Sequence, residues 1–555
     1  MSTIIAILGG VGLFLLGMAV MTDGLKALAG SALRTILGKA AATPLKGVSW
    51  GALITLLVQS SSAVTMTTIG LVSAGLLTFP QGLGLVFGAN VGTTGTGWLV
   101  ALFGVRVSLS SYALPMIFVG ALAKLLAGGR IAAAGSALAG FALVLYGLTT
   151  LQQGMGGLAE SLHPSDLPAV IGEPGVGWAN GLIGLMILIV VGLTMTAVMQ
   201  SSTAAIAVTI SAFYAGAVGL EQGAALIIGQ NIGTATSSAL AAIGASVTAK
   251  RLAVAYVLFK IIAALIAIVA FLFTVALMKA STASVDGTTL LAAYHTAYNV
   301  AGVAVLLPAT QWFTRVVERL LPSRETALEG ALDPSALVNP VIAIEVTRRV
   351  VAEILKATAP ALSVVDDGAT QGAAKAAATL AKARDFLSEL KELPEVKEER
   401  FRMTSTLHAL DHAARLVEIL SEPGFPGGVS GAFHDTRAGA LYEQAMRATR
   451  AVGESITAES ALTERAESIS WTVSAEVGAS LAEIERAAKE VDAMQRGHRV
   501  ATLAAVAPGK LTTAEAFARI DAARRFDRIV HHAWRTSAHL LGRGEHAVDA
   551  IDQKT

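Results

Sequence analysis

Apolar residues fill most of the first 322 positions, in runs long enough to cross a bilayer, for which roughly 20 residues suffice. The runs fall at 4–22, 48–58 with 62–79, 83–105, 107–127, 131–151, 181–199 with 203–219, 223–247, 252–278 and 290–313. The first has no Lys or Arg ahead of it and is long enough to span, so it reads as a retained helix and not a leader peptide. Past residue 340 the pattern changes. Apolar residues recur at three- and four-residue spacing, as in Val346, Val350, Ile354 and Leu355, which predicts amphipathic helices over 341–421 and 435–550. The stretch Glu422-Pro423-Gly424-Phe425-Pro426-Gly427-Gly428 predicts a loop between two antiparallel helical bundles.

Charge sharpens this division. Residues 1–322 hold 13 Lys/Arg and 7 Asp/Glu, whereas 323–555 hold 28 and 33. The whole chain is 54% hydrophobic and 15% charged, with a mean hydropathy of +0.62. An average soluble protein is about 25% charged. The expectation is an all-α polytopic membrane domain over 1–322 followed by a soluble helical domain over 323–555. A net charge of +1 gives no footprint for nucleic acid. The absence of cysteine removes disulfides, thiol catalysis and Cys-ligated metals.

Two apolar runs are interrupted by polar clusters, Gln59-Ser60-Ser61-Ser62 and Gln200-Ser201-Ser202-Thr203. They belong to an internal repeat. Gln59 and Gln200 stand 141 positions apart, as do Asn90 and Asn231. Sliding 59–101 onto 200–242 without a gap gives 17 identities in 43, among them Gln, Asn and paired glycines. Gly88-Ala89-Asn90-Val91-Gly92-Thr93 returns as Gly229-Gln230-Asn231-Ile232-Gly233-Thr234. Repeat 1 spans about 48–127 and repeat 2 about 181–278, with a further helix at 290–313. An isolated Ser pair would read as helix packing. Two such clusters at one offset, each 31 residues before a Gly-x-Asn-x-Gly-Thr block, read as a site. Unpaired backbone groups cannot face lipid, so a broken helix belongs where it lines a cavity. There its free N–H groups attract an anion, and carbonyl, hydroxyl and amide oxygens suit a small cation.

At these residues the sequence resembles the sodium/phosphate cotransporter family, particularly its bacterial branch. Its hallmark is a duplicated Gln-Ser-Ser-Ser motif, each copy followed by Gly-x-Asn-Ile-Gly-Thr. Both copies stand here, with Thr203 in place of Ser and Val91 in place of Ile. Gly17-Met18 through Asp23-Gly24-Leu25 resembles the family's opening helix, and His295-Thr296-Ala297-Tyr298-Asn299 a late His-Thr-x-Phe-Asn element. The resemblance covers roughly 4–322. The soluble half resembles, by pattern alone, the PhoU-like domain that many bacterial members append. The resemblance implies Na⁺-coupled movement of inorganic phosphate across the cytoplasmic (inner) membrane, with repeats of inverted topology. Ser60, Ser61, Ser62, Ser201, Ser202 and Thr203 are the expected phosphate ligands. Gln59, Gln200, Thr93, Thr94 and Thr234 are the expected Na⁺ ligands. Asn90 and Asn231, grouped with the phosphate set, could serve either role or fix the broken backbone.

Two departures matter. Where electrogenic animal relatives carry an Asp linked to an extra Na⁺, this chain offers Leu114-Pro115-Met116. Two Na⁺ with HPO₄²⁻ would then move electroneutrally. The other departure is Lys260, where the family pattern suggests Asn. A Lys at a helix centre costs on the order of 2.5–3.5 kcal/mol on insertion scales. Lys260 lies nine residues into its run, roughly 13 Å deep at 1.5 Å per residue, so its stem could snorkel to the interface. The alternative is an ammonium that substitutes for a bound cation or pairs with phosphate.

Other residues carry less. Pro80, Pro115 and Pro308 read as helix boundaries or kinks, and Trp50, Trp98 and Trp178 as interface anchors. His295 and Asn299, at i and i+4, read as packing or helix–helix hydrogen bonding, with a proton or gating role as the alternative. Lys26, Arg34, Lys39 and Lys46 mark 23–47 as a cytoplasmic loop, and Arg315, Arg319 and Arg324 do the same for the entry to the soluble half. Residues 152–180 read as the exposed connection between repeats. In the soluble half, His408, Asp411 and His412 share a face, as do Asp527 and His531. A solvated polar face is the leading reading and a metal site the alternative. No Walker motif and no nucleophile–base pair appears, so neither ATP-driven transport nor an enzyme is expected. The expected ligands are phosphate and Na⁺, with no cofactor beyond the co-transported ion. A regulatory protein partner at the C-terminal domain and an oligomer are both open. Export of phosphate or another oxyanion, and a non-transporting phosphate sensor, stand as alternatives to coupled uptake.

Overall fold

The structure is a computed structural model that describes residues 2–40, 43–73, 77–102, 110–241, 243, 246–322, 332–363, 367–390, 393–394, 397–421, 436–458 and 474–544. Every regular element among the described residues is a helix. The chain divides into two compact units, Met1–Val72 with Leu77–Ser323 and Ser73–Leu76 with Arg324–Thr555.

The first unit contains α1 (Ser2–Ala40), α2 (Pro44–Val58), α3 (Ser61–Ser73), α4 (Phe79–Thr93), α5 (Gly95–Leu99), α6 (Ser110–Leu126) and α7 (Gly129–Ala159). It continues through α8 (Trp178–Met199), α9 (Ser202–Tyr214), α10 (Leu220–Ala241), α11 (Val247–Val269), α12 (Phe271–Ser281), α13 (Gly287–Leu306) and α14 (Thr310–Leu320). Six segments are long and apolar enough to cross a membrane: Thr3–Ala29, Phe79–Leu102, Gly129–Ala159, Trp178–Met199, Val247–Val269 and Gly287–Leu306. The chain is an all-α, multi-pass membrane protein.

Two expectations are corrected. The basic stretch 23–47 is not simply a loop, because α1 runs on to Ala40. Its Ala- and Leu-rich sequence holds no proline before Pro44, so nothing stops the helix when the apolar run ends. The run 252–278 is broken at Ala270, whose N–H bonds to Ile266 O and Ile268 O, and splits into α11 and α12. The prolines behave as expected. Pro80 sits in the first turn of α4 behind a Thr78–Gln81 capping box, Pro115 lies inside α6, and Pro308 follows the end of α13.

Glycine seams set the packing. Gly10, Gly17 and Gly24 of α1 lie against α7 at Gly147–Leu151, Gly140–Val144 and Ala133–Ala137, so the two helices run antiparallel. A methyl group on any of these three would overlap backbone of the partner helix. The repeats use the same device. Gly51 and Gly88 close α2 onto α4, and Gly192 and Gly229, each 141 positions on, close α8 onto α10. The contacted carbonyls, Leu85 and Val48 in one pair and Leu226 and Ile189 in the other, keep that offset. The repeat read in sequence is therefore also a repeat of backbone contacts.

The second unit contains α15 (Pro340–Ser363), α16 (Asp367–Ser388), α17 (Lys397–Ser421), α18 (Thr436–Ala458), α19 (Ala475–Val506) and α20 (Thr513–Leu540). These helices share one hydrophobic core and do not form two separate bundles. The apolar stripes of both groups face the same centre. Arg525 on α20 donates to Ile419 O on α17 at 2.7 Å, and Ser405 on α17 donates to His539 O on α20 at 2.8 Å. The expected loop 422–428 and Arg324 lie outside the described residues.

His408 and Asp411 are exposed and His412, Asp527 and His531 half-buried, so this polar face is partly solvated, but its histidines also contact one another. His412 and His532 place their Nδ1 atoms 3.0 Å apart, and His408 stacks on His539 with ring centroids at 4.9 Å. Five of the chain's ten histidines thus meet between α17 and α20. Among the described residues, no three His, Asp or Glu side chains are arranged to hold a metal.

Candidate functional site

Both polar clusters break their helices in the same way. α2 ends at Val58 and α3 begins at Ser61; α8 ends at Met199 and α9 begins at Ser202. Between them, Gln59 (φ 57°) and Gln200 (φ 50°) adopt the left-handed conformation, as no other non-glycine among the described residues does. That conformation costs a non-glycine residue of order 1–3 kcal/mol and marks strained, functional backbone. Each Gln then donates Nε2 to the carbonyl three residues back, Leu56 O and Ala197 O, both at 2.5 Å. Ser60 and Ser201 next accept from the N–H groups of Ala63 and Ala204 at 3.3 and 3.2 Å, capping α3 and α9. The N–H groups of Ser61 and Ser62, and of Ser202 and Thr203, lie ahead of the first intrahelical bonds, Val64 N to Ser60 O and Ala205 N to Ser201 O, the arrangement that favours anions.

The two motifs meet at one cavity of about 360 Å³, within the roughly 300–1,000 Å³ range of small-molecule sites. Gln59, Ser60, Ser61, Ser62 and Thr93 line it from the first repeat, and Gln200, Ser201, Ser202, Thr203 and Thr234 from the second. Ten of the fourteen residues singled out in the sequence therefore surround one space. Ser201 and Thr203 share a hydrogen bond of 2.9 Å. Asp23 and Lys26 of α1, an ion pair at 3.6 Å, also line the cavity. Among the described residues, no other Lys, Arg, Asp or Glu lines it.

The other four stand behind the wall. Thr94 donates to Val91 O at 2.7 Å and accepts from Thr296 at 3.0 Å. Asn90 donates to Val86 O at 3.0 Å. Asn231 donates to Asn299 Oδ1 at 3.2 Å and accepts from Lys260 Nζ at 2.5 Å. Lys260 is 2% exposed. Snorkelling is thus overturned, because α11 packs this face against α10 and α13 and leaves the stem no path to an interface.

Helix α13 braces both repeats. Thr296 bonds Thr94 of the first and receives the Trp98 indole N–H at 2.9 Å, while Asn299 bonds Asn231 of the second. Of the two readings for His295 and Asn299, helix–helix hydrogen bonding holds for Asn299. The Trp98 indole N–H thus ties the first repeat to α13.

Sequence reading missed Thr55 and Thr196. They too are 141 positions apart, both are 1% exposed, and neither hydroxyl has a hydrogen-bond partner. Each packs against the second glycine of its repeat's Gly-x-Asn-x-Gly block, Thr55 on Gly92 and Thr196 on Gly233. Extending the slide upstream of Gln59 would have found them. Thr96 was missed as well. Its hydroxyl donates to Gln59 Oε1 at 2.8 Å, whereas its counterpart Ser237 turns to Thr234 O at 2.9 Å.

Comparison with known proteins covers both motif-bearing stretches. Residues 13–153 and 184–306, one stretch holding each motif copy, match the Na⁺/Pi-cotransporter family. The chain is 27% identical over 312 residues to the uncharacterized protein YqeW of Bacillus subtilis, spanning 56% of this chain and 96% of that one. It is 27% identical over 362 residues to a Salmonella typhimurium protein named for inorganic phosphate export, YjbB, spanning 64% of this chain and 63% of that one. Over 59 residues, 11% of this chain and 9% of the other, it is 46% identical to human sodium-dependent phosphate transport protein 2B. No solved structure matches. The membrane unit of this chain belongs to the Na⁺/Pi-cotransporter family.

Proposed function

We propose that the chain is a Na⁺-coupled secondary transporter of inorganic phosphate in the cytoplasmic membrane, working through the cavity shared by the two repeats. The observation that carries this reading is the meeting of both Gln-Ser-Ser-Ser/Thr breaks at one polar space. Phosphate is held by Ser60, Ser61, Ser62, Ser201, Ser202 and Thr203 together with the N–H groups that open α3 and α9. Na⁺ is held by the oxygens of Gln59, Gln200, Thr93 and Thr234, and it offsets the charge of the anion. Thr94 and Asn231 act from behind, fixing the broken backbone through their bonds to Thr296 and Asn299 of α13. Two Na⁺ accompany each HPO₄²⁻, so the cycle moves no net charge. The second unit is read as a cytoplasmic, PhoU-like regulatory domain.

The test is ³²P-phosphate uptake by proteoliposomes under an imposed Na⁺ gradient, with K⁺ as control and Gln200→Ala alongside. Uptake should require Na⁺, fail in the variant and carry no current under voltage clamp. Phosphate binding without flux would instead identify a sensor. The relative named for phosphate export favours a second reading in direction only. Loading the vesicles with phosphate and reversing the Na⁺ gradient distinguishes efflux from uptake.

A further inference from the structure

Asn90 and Asn231 hold the same place in the two repeats, yet their side-chain oxygens have opposite surroundings. Asn231 Oδ1 receives Lys260 Nζ at 2.5 Å. Asn90 Oδ1 is buried and receives no donor. The Asn90 amide N–H is committed to Val86 O at 3.0 Å, which fixes the side on which the oxygen stands. A buried acceptor left empty costs roughly 1–3 kcal/mol, and an amide oxygen is a hard ligand suited to a small cation.

Lys260 supplies the contrast. Its nitrogen lies 5.3 Å from the centroid of the Tyr256 ring, and no carboxylate pairs with it among the described residues. Tyr256 is itself a lining residue of the shared cavity. An amide oxygen and an aromatic face are the surroundings of a bound monovalent cation, not of a salt bridge. The Asn231 amide that takes the ammonium passes its own N–H to Asn299 at 3.2 Å, so the oxygen is held in place by α13.

We propose that Lys260 is a tethered cation: its ammonium occupies, against Asn231, the place that a Na⁺ ion takes against Asn90 in the first repeat. The second repeat thus carries its own positive charge and takes one ion fewer from solution. This rests on the Na⁺-coupled reading, but the number of bound ions can be scored without transport. With the full chain in detergent, ²²Na⁺ binding at saturation gives ions per protein. Lys260→Gln should bind one more Na⁺ than the parent, and Lys260→Arg should bind the parental number. Asn90→Leu should bind one fewer. In proteoliposomes, Lys260→Gln should raise the Hill coefficient for Na⁺ by about one.

An unchanged count in a folded Lys260→Gln overturns the proposal. Should that variant not fold, Asn90→Leu decides, and an unchanged count there overturns it equally. A parent that binds no Na⁺ overturns both this proposal and the coupled reading. A parent that binds Na⁺ but transports no phosphate overturns the coupled reading and leaves the counts to decide this one.

Discussion

Gln59 and Gln200, 141 residues apart, take the same left-handed backbone conformation, and each folds its side-chain amide back onto the carbonyl three residues earlier, Leu56 O and Ala197 O. The side chain replaces the hydrogen bond that the chain reversal removes. Glycine there would relieve about 1 kcal/mol of backbone strain while losing a hydrogen bond of about 1 kcal/mol. Gln59→Gly and Gln200→Gly should therefore melt close to the parent, and both should lose Na⁺-dependent phosphate uptake. Full uptake in either variant would show that the amide takes no part in binding.

The repeat glycines answer differently. A methyl group at Gly88 or Gly229 would overlap the carbonyl oxygen of Val48 or Ile189, whereas one at Gly156 of α7 would meet nothing within 4 Å. Gly88→Ala and Gly229→Ala should each destabilise by about 1–3 kcal/mol or more, seen as lower detergent melting temperatures. Gly156→Ala should be neutral or stabilise by up to about 1 kcal/mol through helix propensity.

Thr96 acts on the site through Gln59. Thr96→Val keeps the shape and removes one hydrogen bond worth about 0.5–1.5 kcal/mol. The expected result is a roughly 2- to 12-fold rise in the Na⁺ concentration for half-maximal uptake, with little change in maximal rate. A change in rate alone would place Thr96 outside the cation site.

The histidines between α17 and α20 make the second unit acid-sensitive. Burial comes first, followed by neighbouring histidines and arginines. Together they push His412 down to about 3, and His532 and His539 to about 4. Their unfolded counterparts titrate near 6.5. Between these limits the unfolded chain binds more protons, so this stability is complete above about pH 6.5 and declines as pH falls toward 4. Asp527 opposes the trend, since burial and Asp492 raise it to about 6, but it is one group against four, because burial lowers His531 as well. Hydrogen exchange in the full chain, corrected for intrinsic rates, should show α17 and α20 losing protection between pH 6.5 and 4. His412→Gln should reduce the loss.

Much of the site was legible because its signals are local. A polar cluster inside an apolar run announces a broken helix, and two clusters at one offset announce a shared cavity. What escaped depends on neighbours distant in sequence. Lys260 looked able to snorkel when its depth was counted along one helix, but α10 and α13 seal that route. Asn90 and Asn231 carry the same repeat signal as the lining residues, and only helix rotation puts them behind the wall. Thr55 and Thr196 look like ordinary helical threonines until their hydroxyls are found unpartnered. The helices of the second unit were visible by period, but a period cannot say whether two groups of stripes face one core or two.

The seam between α1 and α7 limits how this molecule can move. Gly10, Gly17 and Gly24 repeat every seven residues, and each seats against backbone with no side chain between. Sliding one helix by a fraction of that interval would drive Cα atoms into carbonyls. The next register in which glycine again meets a matching notch is seven residues away, about 10.5 Å along the axis. The pair therefore acts as a keyed shaft, free to tilt as a body but locked against creep. Asp23 and Lys26, carried on it at the rim of the cavity, move only when α7 moves too.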